Sequence, residues 1–336
     1  MENIQNFQIL WFFLIFVLLL GYALLDGFDL GLAALLPFLG RTGEEKDTLV
    51  ASIAPVWDGN EVWLITGGGA LFAAFPHAYA TAFSGFYLAM MLVLLALIFR
   101  AVSMEFRAYD RARAGLWEKA FLIGSALAAL LFGVALGNVV YGVPLDGRME
   151  FTGSFFTLLR PVPLWFGVTG LVAVLLQGAC WAVLKTEGGL RKRSFRAANV
   201  LLWINALTAL IYFIMLVYVF DRLSSNALFY LSVLLTLAGL ATVFFSIRSK
   251  NDAVPIWASC ASFTGLFLAA GAAQFPNLIT ASNDPALSLT IYNSSTGLYT
   301  LQIMAAIAVV GMPIVIGYTI FVYRQFKGKA RADQHY

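Results

Sequence analysis

The chain has 336 residues, of which 61% are hydrophobic and 12% charged, against roughly 45–50% apolar and about 25% charged in a soluble globular domain. That balance excludes a secreted disulfide module, a disordered polypeptide, a nucleic-acid binder and a soluble enzyme whose apolar residues hide in one ordinary core. The net charge of +3 decides little as a total, because in an integral membrane protein the placement of the basic residues carries the information.

A membrane-spanning helix takes about 20 mostly apolar residues, since about 30 Å of hydrocarbon is crossed at 1.5 Å per residue. In chain order, the stretches 7–36, 49–73, 80–104, 120–141, 164–184, 197–220, 227–247, 254–275 and 298–323 qualify, which predicts an all-α integral membrane protein of nine transmembrane helices. The whole chain, 1–336, reads as a single transmembrane domain. The start is no cleavable signal: Glu2 stands where a basic region belongs, and the apolar run is too long.

The 21 Lys and Arg residues then set the orientation. All but Arg148, Arg160 and Arg222 fall after odd-numbered stretches, in clusters such as Arg100, Arg107, Arg111, Arg113 and Lys119, or Lys185, Arg191, Lys192, Arg193 and Arg196. The positive-inside rule therefore puts the N-terminus outside and the C-terminus in the cytoplasm. The longest connections, 146–163 and 276–297, lie outside. Pro55 and Pro313 fall within stretches and predict kinks there.

Ionisable groups inside a span cost about 2.5–3.5 kcal/mol each at the helix centre, so they need a reason. The first stretch has Asp26 and Asp29, and the second has Asp58 and Glu61. Each pair is spaced i, i+3 on one helix face, so two antiparallel helices that meet along those faces bring four acids to one inward-opening cleft. With Arg100 counted to the connection after the third stretch, no Lys or Arg stands inside a span to neutralise them. They are expected to be protonated, hydrated, bonded by neighbours such as Asn60, Thr66, Trp57 or Trp63, or paired with a basic group on another chain, and their burial together suits a proton relay. A bland alternative is that Asp29 and Glu61 cap kinked helices or tie two helices together.

The remaining residue types point less sharply. The only histidines, His77 and His335, make this chain a poor haem protein by itself. Cys180 and Cys260, in apolar stretches with no CxxC, read as core hydrophobes, so no metal site is expected. Gly67, Gly68 and Gly69 fit a close helix contact better than a phosphate loop. The eight tryptophans fit interfacial belts.

The motifs Leu25-Asp26-Gly27-Phe28-Asp29-Leu30-Gly31 and Pro55-Val56-Trp57-Asp58-Gly59-Asn60-Glu61-Val62-Trp63-Leu64 give the chain its likeness. With Gly137-Asn138-Val139-Val140-Tyr141-Gly142-Val143-Pro144 and Pro313-Ile314-Val315, it resembles subunit II of bacterial cytochrome bd quinol oxidases, including the cyanide-insensitive ones. The resemblance implies two four-helix bundles plus one peripheral helix in the cytoplasmic (inner) membrane. It implies a haem-free subunit beside a haem-bearing subunit I that oxidises quinol and reduces dioxygen to water, with haem b558, haem b595 and haem d in that partner. Asp58 then corresponds to a cytoplasmic proton path, with Glu61, Asp29 and Asp26 relaying or supporting it, and Trp63 lies near an apolar oxygen route. Some family members carry Gln in place of Glu61, which puts Asp58 first. Implied partners are subunit I, quinol, dioxygen and lipid, with a small single-helix accessory subunit and a structural quinone as further candidates. A secondary transporter using the same acids, or an assembly chaperone for a haem subunit, are the rival readings.

Overall fold

The computed structural model describes residues 2–332. Eleven helices follow in order: α1 (Glu2–Leu39), α2 (Gly43–Ala51), α3 (Trp57–Ala74), α4 (Pro76–Gly85), α5 (Tyr87–Tyr109), α6 (Ala114–Tyr141), α7 (Pro161–Lys185), α8 (Gly188–Val219), α9 (Ala227–Arg248), α10 (Val254–Gln274) and α11 (Leu298–Gln325). Eight of them, α1 and α5 through α11, are long and apolar enough to cross a membrane. In hydrocarbon every backbone polar group must bond internally, which is why apolar runs of this length become helices. With 38 residues, α1 is roughly 57 Å long and outreaches the hydrocarbon.

The expected second span is not one helix. Leu49 to Ala51 end α2, turns fill 52–56, and α3 begins at Trp57. Pro55 has no N–H to donate and disfavours helical geometry in the residue before it, so the chain breaks there. With Trp57, Asp58, Asn60 and Glu61 in its opening turns, the 18-residue α3 is outside the group of eight. The expected third span is also divided: it starts in α4, breaks around Gly85 and Phe86, and continues as α5. At Gly85 a β-carbon would lie 2.6 Å from that of Phe151, so the break admits an aromatic ring from the 142–160 connection. By contrast, α11 runs unbroken through Pro313.

Packing depends on small residues, because lipid tails give helices no hydrophobic reason to associate and close approach must do the work. α1 packs against α3, α6 and α7, α5 against α6, and α10 against α7 and α9. At the α1–α7 crossing, a β-carbon on Gly31 would sit 1.9 Å from the Val174 carbonyl oxygen, and one on Gly178 would sit 2.2 Å from the Leu32 nitrogen. Between α5 and α6, a β-carbon on Gly124 would lie 2.6 Å from the Ala96 carbonyl oxygen and 3.0 Å from the Arg100 nitrogen. α11 is the loose member: Leu301 is its one buried residue among those described.

One apolar cluster joins Phe28, Leu39, Leu49, Met104 and Trp181 at one end of the molecule. Another joins Trp11, Phe75, Leu145 and Leu289 at the other. There the two long connections are knitted together: Asn283 accepts from the Leu145 N–H at 3.0 Å and donates to its carbonyl at 2.7 Å. A ribbon of β1 (Asn277–Ile279) antiparallel to β2 (Leu289–Thr290) stiffens the second connection.

Candidate functional site

Asp26 and Asp29 lie on the part of α1 that crosses α7, and both are 0% exposed. Gly27 and Gly31 turn the other side of this stretch to α7, where a β-carbon on Gly27 would come 2.5 Å from the Gln177 side-chain oxygen. The motif thus alternates acids facing one set of helices with glycines pressed on another.

Arg100 reaches the acids from α5 and is itself 2% exposed. Its Nη2 donates to Asp26 Oδ1 at 2.6 Å, and its Nη1 donates to Asp26 Oδ2 at 3.1 Å and to Glu61 Oε1 at 2.8 Å. Its guanidinium also lies 5.8 Å from the centre of the Trp57 ring. The expectation that no base neutralises the acids is therefore corrected. Arg100 belongs to the buried stripe of α5 formed by Val93, Ala96, Arg100, Ser103 and Arg107. A stripe at i, i+3, i+4 and i+7 faces a helix inward, and this spacing is the signal that could have placed Arg100 inside rather than in the connection.

Asp29 is held differently. Asn60 on α3 donates from Nδ2 to Asp29 Oδ2 at 2.7 Å and to the Leu25 carbonyl at 3.1 Å, and Tyr323 on α11 donates its hydroxyl to Asn60 Oδ1 at 3.0 Å. Asp29 Oδ1 is buried with no hydrogen-bond partner among the described residues. Of the other candidate donors, Thr66 bonds the Val62 carbonyl of its own helix, and the Trp63 Nε1 is buried without a partner among those residues. Sequence reasoning gave no hint of Tyr323, because a contact across 263 positions leaves no local pattern.

The four acids do not all share one cluster. Asp26, Asp29 and Glu61 converge, with the Glu61 side chain 26% exposed. Asp58, one turn earlier on α3, is exposed and has no hydrogen bond or ion pair among the described residues. It stands in the first turn of α3, where the helix dipole favours a carboxylate. Trp63 is half-buried on the same helix, its ring covering Gly21. His77 is exposed on α4, and His335 lies outside the described residues. Among the described residues no group of three or more His, Cys, Asp or Glu is placed to hold a metal.

A second ionic network lies at the end where α2, α5 and α6 meet. Glu118 accepts from Lys46 at 2.7 Å and from Arg107 at 3.1 Å, while Asp47 pairs with Arg107 and, at 3.0 Å, with Arg111. Partial burial pushes the Asp47 carboxyl up, but the hydrogen bonds from Arg107 and Arg111 outweigh it and hold it below the usual carboxylate range. Arg193 does the same for Glu45, with the capping-box bonds to the Arg41 and Thr42 N–H groups adding to it.

Comparison with known proteins agrees with this architecture. Residues 7–326 match the family described as cytochrome bd terminal oxidase subunit II. The chain is 35% identical to cytochrome bd-I ubiquinol oxidase subunit 2 of Escherichia coli, covering 98% of this chain and 96% of that one. It is 33% identical to cytochrome bd ubiquinol oxidase subunit 2 of Bacillus subtilis, covering 95% of both. Its fold is similar to a chain of the bd oxidase from Geobacillus thermodenitrificans, with a TM-score of 0.79, 15% identity, and coverage of 96% and 98%. Eight apolar helices in such a chain make a multi-pass membrane protein. The family match over residues 7–326 and 35% identity across nearly the whole chain place it in the cytochrome bd terminal oxidase subunit II family.

Proposed function

We propose that this chain is the haem-free second subunit of a quinol:dioxygen oxidoreductase of the inner membrane, supplying protons from the cytoplasm to a haem-bearing subunit I. Its relatives are subunits of ubiquinol oxidases, an oxidoreductase complex. In that assembly α3 joins the eight apolar helices as a ninth span, in two four-helix bundles plus one peripheral helix. Haems b558, b595 and d belong to the partner. His77, exposed on α4, is the one histidine among the described residues, so no facing histidine pair stands among them.

Reduction of one dioxygen to two waters consumes four protons and four electrons. Quinol oxidation supplies the electrons and releases its own protons outside. Drawing the consumed protons from the cytoplasm then generates proton-motive force without a pump. The observation that carries this reading is the graded placement of acids on α3: Asp58 exposed, Glu61 half-buried, and Glu61 touching a fully buried Arg100–Asp26 pair. Asp58 collects the proton at the surface, and Glu61 takes it inward. Asp26, locked to both nitrogens of Arg100, supports the path by fixing a positive charge beside it. Asp29 completes the path with an oxygen free to take a proton. Trp63, whose ring packs on α1 at Gly21, borders an apolar route for oxygen.

The test is quinol oxidase turnover of the purified complex carrying Asp58→Asn or Glu61→Gln, with haem content checked by optical spectra. Slowed turnover at full haem content is expected. Wild-type turnover in both variants would refute proton supply through α3.

A further inference from the structure

The residues after α11 are fastened to the rest of the chain by polar bonds. Lys185, at the end of α7, donates to the Phe326 carbonyl at 2.7 Å, and its own carbonyl accepts from the Ala330 N–H at 2.8 Å. Lys329 donates to Asp252 Oδ2 at 2.8 Å, and Asp252 is held in turn by Arg191 at 2.6 Å. These bonds make a strap of 326–330 beneath α7 and the start of α10. The remainder of α11 buries only Leu301 among the described residues, so the strap adds a second attachment just beyond its last turn.

That turn carries Tyr323. Its ring meets Phe28 and Trp181 edge-on, with centroids at 6.4 and 6.3 Å, and those two rings stack at 4.0 Å. Lys185 sits 5.0 Å above the Trp181 ring, so the strap's anchor and the ring wall are one unit. The Tyr323 hydroxyl donates to Asn60 Oδ1, which leaves Asn60 Nδ2 to donate to Asp29. The amide orientation is set from both ends, since Nδ2 faces two acceptors and Oδ1 faces a donor.

We infer that Tyr323 is a positioning residue for Asp29, acting through Asn60 and held in place by the C-terminal strap on Lys185 and Asp252. This rests on the proton-supply reading above. Asp29 lies in the field of Asp26 on α1, Arg100 on α5 and Glu61 on α3, and Cys260 on α10 lies near Tyr323. With the tyrosine hydroxyl in place, Asn60 presents a donor to Asp29. Without it, Asn60 Oδ1 loses its donor and the amide is held only through Nδ2 on Asp29 and the Leu25 carbonyl, so the hydrogen bond to one buried carboxyl changes with no charge moved.

The test uses the assembled oxidase. Tyr323→Phe keeps the ring contacts and removes one hydroxyl, so turnover is expected to fall about two- to tenfold, the effect of one hydrogen bond, with the quinol KM unchanged. The infrared carboxyl band of Asp29, identified by its loss in Asp29→Asn, is expected to shift in Tyr323→Phe. Asp252→Asn, at a residue bonded to Arg191 and Lys329 rather than to the acids, is expected to give a smaller shift in the same direction. An Asp29 band at the wild-type position in Tyr323→Phe overturns the inference, and an unshifted band in Asp252→Asn removes the strap from it. Should Asp29→Asn fail to assemble, carboxyl-labelled aspartate in wild type and Tyr323→Phe gives the same comparison. Full turnover in Asp29→Asn would instead count against proton supply through Asp29, while the band comparison still decides the positioning.

Discussion

Arg100 grips Asp26 across 74 positions of sequence with both guanidinium nitrogens, and both residues are buried. Removing one partner of such a pair leaves an uncompensated charge and costs about 3–5 kcal/mol. Arg100→Gln is therefore expected to lower the thermal midpoint of the purified complex sharply or to prevent assembly. Adding Asp26→Asn to it is expected to recover part of the loss, because the stranded charge is then gone. Arg100→Lys should restore little, since a point-charge ammonium cannot reproduce the fork that spans Asp26 and Glu61. Thermal unfolding of the four complexes decides the matter, and a double variant no better than Arg100→Gln would contradict it.

The α1–α7 crossing makes a steric prediction. With 1.9 Å between a β-carbon on Gly31 and the Val174 carbonyl oxygen, Gly31→Ala forces the helices apart at the level of the acids. The variant is expected to yield little or no assembled complex. Gly43→Ala, where nothing lies within 4 Å, is the control and should assemble as wild type. Co-purification of subunit I with each variant is the measurement.

The α2 network predicts the response to acid. Asp47 and Glu45 are held below their usual carboxylate range in the folded chain. A depressed folded value means that the pairs stabilise fully above the unfolded value, near about 4, and that this stability is lost as pH falls through the folded value. The thermal midpoint should thus stay level from pH 7 to about 5 and fall below about 4. Asp47→Asn should lower the plateau and flatten the acid limb, and a parallel curve for this variant would show that Asp47 contributes nothing.

Trp63 yields a kinetic prediction. Truncating a half-buried indole that covers Gly21 opens space beside the proposed oxygen route. Trp63→Ala is expected to change the rate of oxygen rebinding after flash photolysis by severalfold, with little effect on proton uptake. Unchanged rebinding would count against a route past this residue.

The proline that interrupts the second stretch and the acids at i, i+3 on α1 and α3 are written in local sequence, because proline chemistry and helical spacing are properties of neighbours along the chain. So is family membership, which the two acid-bearing motifs convey. Which acids meet a base was decided only by the fold. Glu61 and Asp58 share a helix and a spacing, yet one reaches Arg100 and the other stays at the surface. Arg100 looked like the first residue of a cytoplasmic cluster and became the buried centre of the site, because α5 extends to Tyr109 and its inward stripe includes it. Tyr323 reaches Asn60 from the far end of the chain. Periodicity tells which face of a helix is turned inward, but the identity of the side chain opposite it depends on how separate helices are assembled, and that information is held in no single segment.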